Sequence, residues 1–333
     1  MKIIGIETSC DETACAVVEN GEKILSNIVL SQVRLHGPFS GVVPEIACRA
    51  HVHWLTGVAS EALDQAKIAP QELGAVAVAN RPGLIGALLI GVAGAKSLAL
   101  ALGKPLVSVN HLQAHIHAAI MSHPELAYPF LSMVISGGHT AIYISTGPGE
   151  SEMLGATTDD AVGESFDKVA RILGLPYPGG PSVSDAAKKG DPRAVDFPRP
   201  MLGPDSLDFS FSGLKTAVLY RVRGHDMKNP KDFPESDIPN VAASFQEAVV
   251  DVIVEKALRA VEKTGIRRLA ITGGVAANSR LRDKLGKAAD GVDVFFPTPE
   301  LCTDNAAMVA GLAFELVEKG EIASLDLDAF AQV

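Results

Sequence analysis

Aromatic side chains are scarce in this sequence. Phe, Trp and Tyr make up 5% of the 333 residues, and Trp54 is the single tryptophan. Glycine is plentiful instead, with 31 residues, which suits tight turns and close packing of helices on sheets better than a β-sandwich. The composition therefore favours an α/β protein.

Cysteine is also rare. The four cysteines form no CxxC pair and no dense framework: Cys10, Cys15, Cys48 and Cys302. This spacing argues against a cysteine-based metal cluster and against a set of disulfides. Met1 and Lys2 lead straight into the strand-like residues 3–6, which leaves no room for a signal peptide. We therefore expect reduced thiols in a cytoplasmic protein.

Positive charge is in short supply. Lys and Arg number 29 against 39 Asp and Glu, so the formal net charge is −10. Such a chain lacks the excess of cations that gives a non-specific grip on nucleic acid. Basic residues do gather at residues 221–231 and 267–287, although scattered cations on a solvated helix would look the same. An RNA substrate would therefore need a local basic patch or a partner protein.

A clean membrane-spanning run is missing as well. The most apolar stretch, residues 84–102, carries Lys96 and many small residues. A spanning helix needs about 20 predominantly apolar residues. We interpret the stretch as a buried helix and expect no membrane partner.

The chain contains a repeated layout, and its 333 residues are long enough for two domains. A strand-like run at residues 3–6, a polar turn and a second run at residues 14–18 begin the first half. Residues 130–135, a glycine-rich turn and residues 141–144 repeat that order. The repeat predicts a duplicated α/β domain with a cleft between the halves.

Two histidines four residues apart open a predicted helix. His111 and His115 would share one helix face, so both imidazoles can point at one centre. Neutral imidazoles with one carboxylate are ligands for Zn or Fe(II). A buried structural pair has the same spacing, so the pattern alone leaves both interpretations open. Asp304, before a predicted helix at residues 306–317, suits either an N-cap or a ligand.

Three turns that follow predicted strands carry residues suited to ligand binding. The turn at residues 7–13 holds the carboxylates Asp11 and Glu12, although an ordinary hairpin turn would show the same polar residues. The turns at residues 136–140 and 272–278 each contain two adjacent glycines. Glycine lets the backbone approach a ligand closely, and a following helix N-terminus favours an anion such as a phosphate.

Several of these loops match the motifs of one enzyme family, in the family's order and over nearly the whole chain. The matching segments are residues 5–13 (GIETSCDET), 41–45 (GVVPE), 136–140 (SGGHT), 177–181 (YPGGP), 208–216 (DFSFSGLKT), 273–278 (GGVAAN) and 302–305 (CTDN), with His111 and His115. They closely resemble the bacterial TsaD branch of the tRNA threonylcarbamoyladenosine synthases, formerly described as O-sialoglycoprotein endopeptidases.

The resemblance implies a fold. It is that of actin, hexokinase and the Hsp70 ATPase, in which two ribonuclease-H-like domains surround a central cleft. We expect residues 1–125 and 304–333 to form the first domain, closed by the C-terminal helix. Residues 126–303 would form the second domain, with an insertion.

The resemblance also implies an activity. It is the transfer of a threonylcarbamoyl group from threonylcarbamoyl-adenylate to the N6 amine of the adenosine 3′ to the anticodon (adenosine 37) in tRNAs reading ANN codons, with release of AMP. His111, His115 and Asp304 match the ligands of one divalent metal, with Fe(II) favoured and Zn as the other candidate. Asp11 matches an acidic residue needed for activity, and we place Glu12 with it in the catalytic turn.

A further set of residues matches the family positions that hold the adenylate. They are Ile135, Ser136, Gly137, Gly138, His139, Asp167, Gly180 and Asn278.

Partners are implied as well. Bacterial relatives work with tRNA, with TsaB, a smaller paralogue of the same fold, and with the ATPase TsaE, while a separate synthase makes the adenylate. We expect a heterodimer through the apolar helices of the N-terminal half. The predicted helix at residues 44–66 offers Ile46, Val52, Trp54 and Leu55 for burial. Trp54 is the proposed anchor because interface hot spots favour tryptophan, and the rival interpretation is that it packs in its own core.

The sequence departs from the family at two places. Arg81 lies where relatives usually have the first glycine of a Gly-Pro-Gly turn, so we expect that loop to differ in shape or in its contacts. Ser184 stands where many relatives have a carboxylate, and the neighbouring Asp185 is a candidate to compensate.

Three other functions compete with the transferase. A metalloprotease of the zincin type would place Glu directly after the first histidine, but Leu112 stands there. A kinase or chaperone-like ATPase of the same fold would turn over Mg-ATP without need of the histidine pair. The third rival is a non-catalytic binding module.

Overall fold

The computed structural model describes residues 1–200, 203, 205–226, 228 and 232–332. These residues form two compact units. Unit 1 comprises Met1–Tyr128, Thr146–Ser151 and Pro297–Val333, and unit 2 comprises Pro129–Ser145 and Glu152–Phe296.

Both units of the described chain begin with three successive strands, and helices follow them. The strands are β1 (Lys2–Glu7), β2 (Glu12–Glu19), β3 (Lys23–Ser31), β4 (Ala75–Arg81), β5 (Leu106–Asn110), β6 (Phe130–Ile135), β7 (Thr140–Gly147), β8 (Glu150–Ala156), β9 (Arg268–Thr272) and β10 (Asp293–Phe295). The α-helices are α1 (Val33–His36), α2 (Pro44–Ala66), α3 (Ile85–Leu102), α4 (His111–Ser122), α5 (Val162–Ile172), α6 (Gly179–Ala187), α7 (Ser212–Arg223), α8 (Ile238–Thr264), α9 (Ser279–Ala288), α10 (Pro299–Cys302) and α11 (Ala306–Glu318). Short 3₁₀ turns occupy Gly37–Phe39, Pro70–Glu72, Glu235–Asp237 and Gly274–Ala277.

The sheet of unit 1 has the order β3-β2-β1-β4-β5. The β1–β2 and β2–β3 pairs are antiparallel, and the β1–β4 and β4–β5 pairs are parallel. Each face of the sheet carries a hydrophobic core, and alternate side chains of a strand contribute to opposite faces. Ile3 belongs to the core that includes α11, whereas Ile4 and Ile6 belong to the core that includes α2 and α3.

A glycine lets α11 lie close to the sheet of unit 1. A Cβ at Gly5 would lie 2.4 Å from the carbonyl oxygen of Ala306 and 2.8 Å from the backbone nitrogen of Ala310. A larger residue at position 5 would push α11 away from β1. Since Asp304 stands just before α11, this contact also helps to place that carboxylate.

The sheet of unit 2 has the same topology, with the order β10-β9-β6-β7-β8. Its central strand β6 pairs antiparallel with β7 and parallel with β9, just as β1 pairs with β2 and β4. The repeat that the sequence predicted is therefore present in the strand order, and the α/β class is confirmed.

Helix α3 was predicted to be buried, but most of it is not. By length and composition it could cross a membrane, and 33% of that stretch is buried. Ile85, Leu89 and Leu100 are exposed, while Leu88 and Val92 pack in the core. The sequence misled because apolar residues occur all round this helix, so their pattern does not mark which side faces the sheet.

Candidate metal centre and ligand loops

The predicted histidine pair lies at the start of α4. Asn110 caps this helix, and its Oδ1 accepts hydrogen bonds from the backbone nitrogens of Leu112 (2.9 Å) and Gln113 (3.3 Å). Capping fixes the first turn, in which His111 stands, and His115 follows one turn later. The two rings lie 4.6 Å apart at nearly a right angle, and both are buried.

Asp304 meets this pair from the other end of the chain. Its Oδ1 lies 3.0 Å from Nε2 of His115 and 3.7 Å from Nε2 of His111. Asn305, rather than Asp304, caps α11, because its Oδ1 accepts a hydrogen bond from the Met308 nitrogen. The carboxylate of Asp304 is thereby spared for the histidines, and the three ligand atoms lie within 4.8 Å of one another.

The polar atoms of this cluster fit a cation. Nδ1 of His115 is buried and has no hydrogen-bond partner among the described residues. If the neutral ring carries its proton on Nδ1, the Nε2 lone pair faces Asp304 Oδ1 at 3.0 Å. Two acceptors at that distance repel each other unless a proton or a metal ion lies between them. Two imidazole nitrogens and a carboxylate oxygen are a common donor set for Fe(II) and Zn.

His111 is held by a second carboxylate, which the sequence analysis did not single out. Nδ1 of His111 lies 2.8 Å from Glu7 Oε2. Burial lowers the pKa of His111, but the charges of Glu7 and Asp304 and the hydrogen bond to Glu7 outweigh it and raise that pKa to about 9. A cation that binds Nε2 of His111 therefore competes with a proton at neutral pH.

The turn between β1 and β2 carries Asp11 and Glu12 in the same unit. Burial raises the pKa of Glu12 well above its usual range, and the charges of Asp11 and Asp304 add to this effect. Ser31 donates a hydrogen bond to Glu12 Oε1 at 3.1 Å. The predicted catalytic turn thus lies within electrostatic reach of Asp304.

His51 of α2 contacts the turn between β1 and β2. Its side chain is completely buried. Its Nε2 lies 3.0 Å from the carbonyl oxygen of Cys10, and its Nδ1 lies 2.8 Å from Oγ1 of Thr13. Both ends of the turn are therefore held by one side chain of α2.

The glycine-rich turn of unit 2 follows β6, and four of its five predicted residues lie beyond the strand. The Ser136 nitrogen donates to the His139 carbonyl (2.8 Å), while the His139 nitrogen donates to Ser136 Oγ (3.1 Å), so the turn is closed. Gly137 and Gly138 are exposed at its tip, and a Cβ on either would meet nothing within 4 Å. The backbone of this turn is open to a ligand.

Helices α5 and α6 and a second glycine-rich turn carry further residues of the predicted ligand site. Asp167 of α5 accepts a hydrogen bond from the Gly179 nitrogen at 2.6 Å, and Gly180 follows in the first turn of α6. Gly273, with φ of +88°, lies against Ile135, where a Cβ would be 2.5 Å from the carbonyl oxygen. The turns after the parallel neighbours β6 and β9 therefore meet at one edge of the sheet, the usual ligand-binding edge in α/β folds.

Asn278 is held more tightly than the sequence indicated. Its Oδ1 caps α9 by accepting from the Leu281 nitrogen (3.1 Å), and its Nδ2 donates to Gln246 Oε1 (2.9 Å). One amide hydrogen remains for a ligand.

The two departures from the family have different outcomes. Arg81 is the last residue of β4 and has no positive φ, so the loop does not need glycine there. Asp185 is exposed and pairs with Lys188 at 2.7 Å, whereas Ser184 is half-buried. Asp185 therefore points to a different side of α6 and does not replace a carboxylate at position 184.

The two acidic residues before α5, Asp159 and Asp160, bind side chains and backbone groups of a later segment of the chain. The carboxylate of Asp159 accepts four hydrogen bonds from Ser210, Phe211 and Ser212, and these lower its pKa to about 2 against the opposing effect of burial. Asp160 pairs with Lys168 and Lys215. These contacts hold the segment at residues 208–216 beside α5. The two segments are about 50 residues apart in the chain, so no local pattern indicated the contact.

A test of the glycine turn follows from the close approach of Gly163. A Cβ at this position would lie 2.7 Å from Gly137 Cα and 2.8 Å from the Ser136 carbonyl oxygen, both backbone atoms. We expect Gly163→Ala to displace the turn, to lower the free energy of unfolding by about 1–3 kcal/mol and to weaken adenylate binding.

Gly286→Ala in α9 is the matched control. Its Cβ would meet nothing within 4 Å, so we expect a gain of about 0.4–1 kcal/mol in the free energy of unfolding and unchanged adenylate binding. Urea unfolding and calorimetric titration with the adenylate measure both effects. Identical behaviour of the two variants would contradict the assignment.

Comparison with solved structures identifies the class of fold. HypF from T. kodakarensis superposes with a TM-score of 0.62 at 16% identity over 96% of this chain and 48% of its own. Component A of (R)-2-hydroxyglutaryl-CoA dehydratase from Acidaminococcus fermentans gives 0.53 at 17% identity over 96% and 99%. At such identities the likeness shows the fold alone. It is the fold that the sequence predicted, that of actin, hexokinase and the Hsp70 ATPase.

Comparison of sequences identifies the family. The family model for TsaD, tRNA N6-adenosine threonylcarbamoyltransferase, matches residues 23–311. Proteins of that name from Anaeromyxobacter sp. (strain Fw109-5) and Thermotoga neapolitana are each 49% identical over 99% of this chain and 98% of their own. The chain belongs to the TsaD family, whose members are acyltransferases that modify tRNA. The family predicted from the sequence is therefore confirmed.

Proposed function

We propose that this protein transfers the threonylcarbamoyl group of threonylcarbamoyl-adenylate to the N6 amine of adenosine 37, 3′ to the anticodon, in tRNAs reading ANN codons. The observation that carries the proposal is the cluster of His111, His115 and Asp304 in a chain that matches threonylcarbamoyltransferases over nearly its whole length. An ATPase or kinase of the same fold would have no use for this cluster.

The proposed metal is one divalent ion, with Fe(II) favoured over Zn. Two histidines and one carboxylate with open positions are typical of non-haem Fe(II) sites, and Zn accepts the same donors. When bound, the ion would supply Lewis acidity to the oxygens of the threonylcarbamoyl group. Asn110 and Glu7 hold the histidines in place for it.

The adenylate is assigned to the glycine loops of unit 2. The backbone of residues 135–139 and Gly180 allows close approach, as the open space around Gly137, Gly138 and Gly180 supports. Asp167 and the remaining amide hydrogen of Asn278 would bind polar groups of the nucleotide. Helix starts at α5 and α6 favour the phosphate.

The chemistry requires an activated donor, since the adenine amine is a poor nucleophile with its lone pair delocalised into the ring. A bond forms from N6 to the carbamoyl carbon, the bond from that carbon to the adenylate oxygen breaks, and AMP leaves with the electron pair. N6 must lose one proton. Asp11 takes this proton or orients the amine, and Glu12 lies beside it in the same turn.

A direct assay tests the proposal against its rivals. The purified protein is incubated with ANN-decoding tRNA, threonylcarbamoyl-adenylate and the TsaB and TsaE partners, and the nucleosides are analysed. We expect threonylcarbamoyladenosine and AMP in equal amounts. Cleavage of a sialoglycoprotein by the protein alone, or ATP turnover by the protein alone without any modified nucleoside in the full mixture, would instead favour the metalloprotease or the ATPase.

The proposed partners are a TsaB-like paralogue and a TsaE-like ATPase. Of the four apolar residues predicted for the interface, only Val52 is well exposed, at 63%. Leu55 is buried in the core, and Trp54 packs against that core, so the anchor role of Trp54 is not favoured. Periodicity marked the apolar residues of α2 but could not tell which of them face the sheet.

An exposed apolar surface does remain on these helices. Cys48 Sγ would lie 2.6 Å from a Cβ at Gly86, and Leu55 Cδ2 equally close to one at Gly94, so α2 and α3 run side by side. Val52 and Leu89 lie between these two contacts and are both exposed. This exposed apolar surface supports the proposal that the paralogue docks on α2 and α3.

We expect Val52→Asp combined with Leu89→Asp to abolish the heterodimer while the protein stays folded. A charge in a buried apolar interface is strongly unfavourable, but both side chains are exposed in the isolated chain. Light scattering of the mixed proteins measures assembly. Met153→Asp, also at an exposed apolar residue, is the control, and equal assembly by both proteins would refute the surface.

A partner would also help to bind tRNA. In the second basic cluster Arg280 and Lys284 already pair with Glu247, at 2.7 and 2.6 Å. In the first cluster Lys231 lies outside the described residues. Arg280 and Lys284 are therefore engaged in ion pairs within the protein, and we propose a complex that shares tRNA binding, in the cytoplasm and without a membrane.

A further inference from the structure

Glu7 is a fully buried carboxylate at the end of β1, beside the candidate metal centre. Its side chain is 1% exposed. A buried carboxylate without partners is costly, so its hydrogen bonds show what it does. We infer that Glu7 is a positioning residue that fixes the tautomer and orientation of His111 for the metal, an inference that rests on the proposed metal centre.

Both oxygens of Glu7 are engaged. Oε1 accepts a hydrogen bond from the Ser9 backbone nitrogen at 2.6 Å, which closes the side chain onto its own turn. Oε2 lies 2.8 Å from Nδ1 of His111, and Ser9 Oγ lies 3.2 Å from the same nitrogen. The carboxylate is therefore fixed from one side by the backbone and presents its other oxygen to the ring.

The contact determines which nitrogen of His111 faces the metal. An ionised carboxylate only accepts hydrogen bonds, so Nδ1 must carry the hydrogen. In the neutral ring, Nε2, which lies 3.7 Å from Asp304 Oδ1, is then left with its lone pair on the ligand side. A carboxylate on the distal nitrogen of a metal-binding histidine also makes the other nitrogen a stronger ligand.

The turn that carries Glu7 is itself anchored to α3. Thr8 Oγ1 donates to the Ala87 carbonyl oxygen at 2.9 Å. Gly91 allows this contact, because a Cβ there would lie 2.3 Å from Thr8 Oγ1. The position of Glu7 therefore depends on the packing of α3 and does not depend on the metal.

Substitution by glutamine gives a sharp test, since it preserves shape and removes one acceptor. Gln has one oxygen, and it must serve either the Ser9 nitrogen or His111 Nδ1. If the oxygen accepts from the Ser9 nitrogen, the amide hydrogens of the new side chain face Nδ1 and force the hydrogen of the His111 ring onto Nε2. If the oxygen accepts from His111 Nδ1, the amide hydrogens collide with the Ser9 N–H group. Either outcome weakens the ligand.

We expect Glu7→Gln to bind Zn²⁺ and Fe²⁺ about 10–100-fold more weakly, at unchanged stoichiometry. Affinities are measured on metal-free protein by competition with a chelator, with Fe²⁺ handled anaerobically. Glu72→Gln is the matched control, because Glu72 also accepts from a backbone nitrogen, that of Ala69, and from a side chain, that of Lys2. It should bind metal as the unmodified protein does.

The outcomes separate this inference from the metal proposal. If Glu7→Gln binds as tightly as the unmodified protein while His111→Ala with His115→Ala binds none, the role of Glu7 is wrong and the metal centre stands. If the unmodified protein binds no metal, both are wrong.

A measurement without any variant guards against misfolding of Glu7→Gln. In zinc-loaded protein with ¹⁵N-labelled histidine, His111 should show a protonated Nδ1 and a metal-bound Nε2. The reverse assignment would overturn the inference.

Discussion

Replacement of both His111 and His115 by alanine is expected to reduce bound divalent metal from one ion per chain to nearly none. The two rings supply two of the three ligands in the cluster, and Asp304 alone offers a single carboxylate. Loss of the metal should abolish threonylcarbamoyl transfer, since the donor's oxygens lose their Lewis acid. Metal content by elemental analysis and product formation by nucleoside analysis check the two effects.

The control for this variant is His123→Ala. His123 follows the same helix, but it lies at the C-cap, near Glu125 and away from the ligand cluster. Its metal content and turnover should equal those of the unmodified protein. Asp304→Asn provides a gentler test, because it keeps the shape and removes only the charge. Unchanged metal content in the double histidine variant would refute the site.

The second large effect is expected at Asp11. Asp11→Ala should reduce turnover by about 10²–10⁴-fold, the usual contribution of a general base, while the bound metal and the unfolding midpoint stay unchanged. Asp11 is 9% exposed in a turn held by His51, so the fold has other supports there. Steady-state kinetics with tRNA, metal analysis and thermal unfolding measure the three quantities.

Asp11→Asn distinguishes the two roles considered for this carboxylate. An amide cannot take a proton but can still hold the amine by a hydrogen bond. If Asp11 is the base, both variants lose turnover equally. If it orients the amine, Asn retains part of it. The surface variant Asp185→Asn should behave normally, and wild-type turnover by Asp11→Ala would remove Asp11 from the site.

The prediction succeeded where the signal was local. The i,i+4 spacing placed His111 and His115 on one helix face, and the helix at residues 44–66 was predicted with the bounds that α2 has. It failed for the burial of α3, because burial depends on which side of a helix meets the sheet, and an apolar residue pattern all round the helix carries no such information. The interface role of Trp54 stays a prediction, although Trp54 packs against the core of unit 1.

The sequence by itself determined the α/β class, the repeated strand–turn–strand layout and the turns that carry polar or glycine residues, because alternation and helical period are properties of neighbouring residues. Only the tertiary structure decided which of them meet. His115 and Asp304 are 189 residues apart in the chain and 3.0 Å apart in space, and they meet because α11 packs against β1 at Gly5 while Asn305 takes the capping role. Glu7 looked like one polar residue of a turn until burial placed it behind His111, since long-range packing, which no local pattern records, selects the partner of a buried charge.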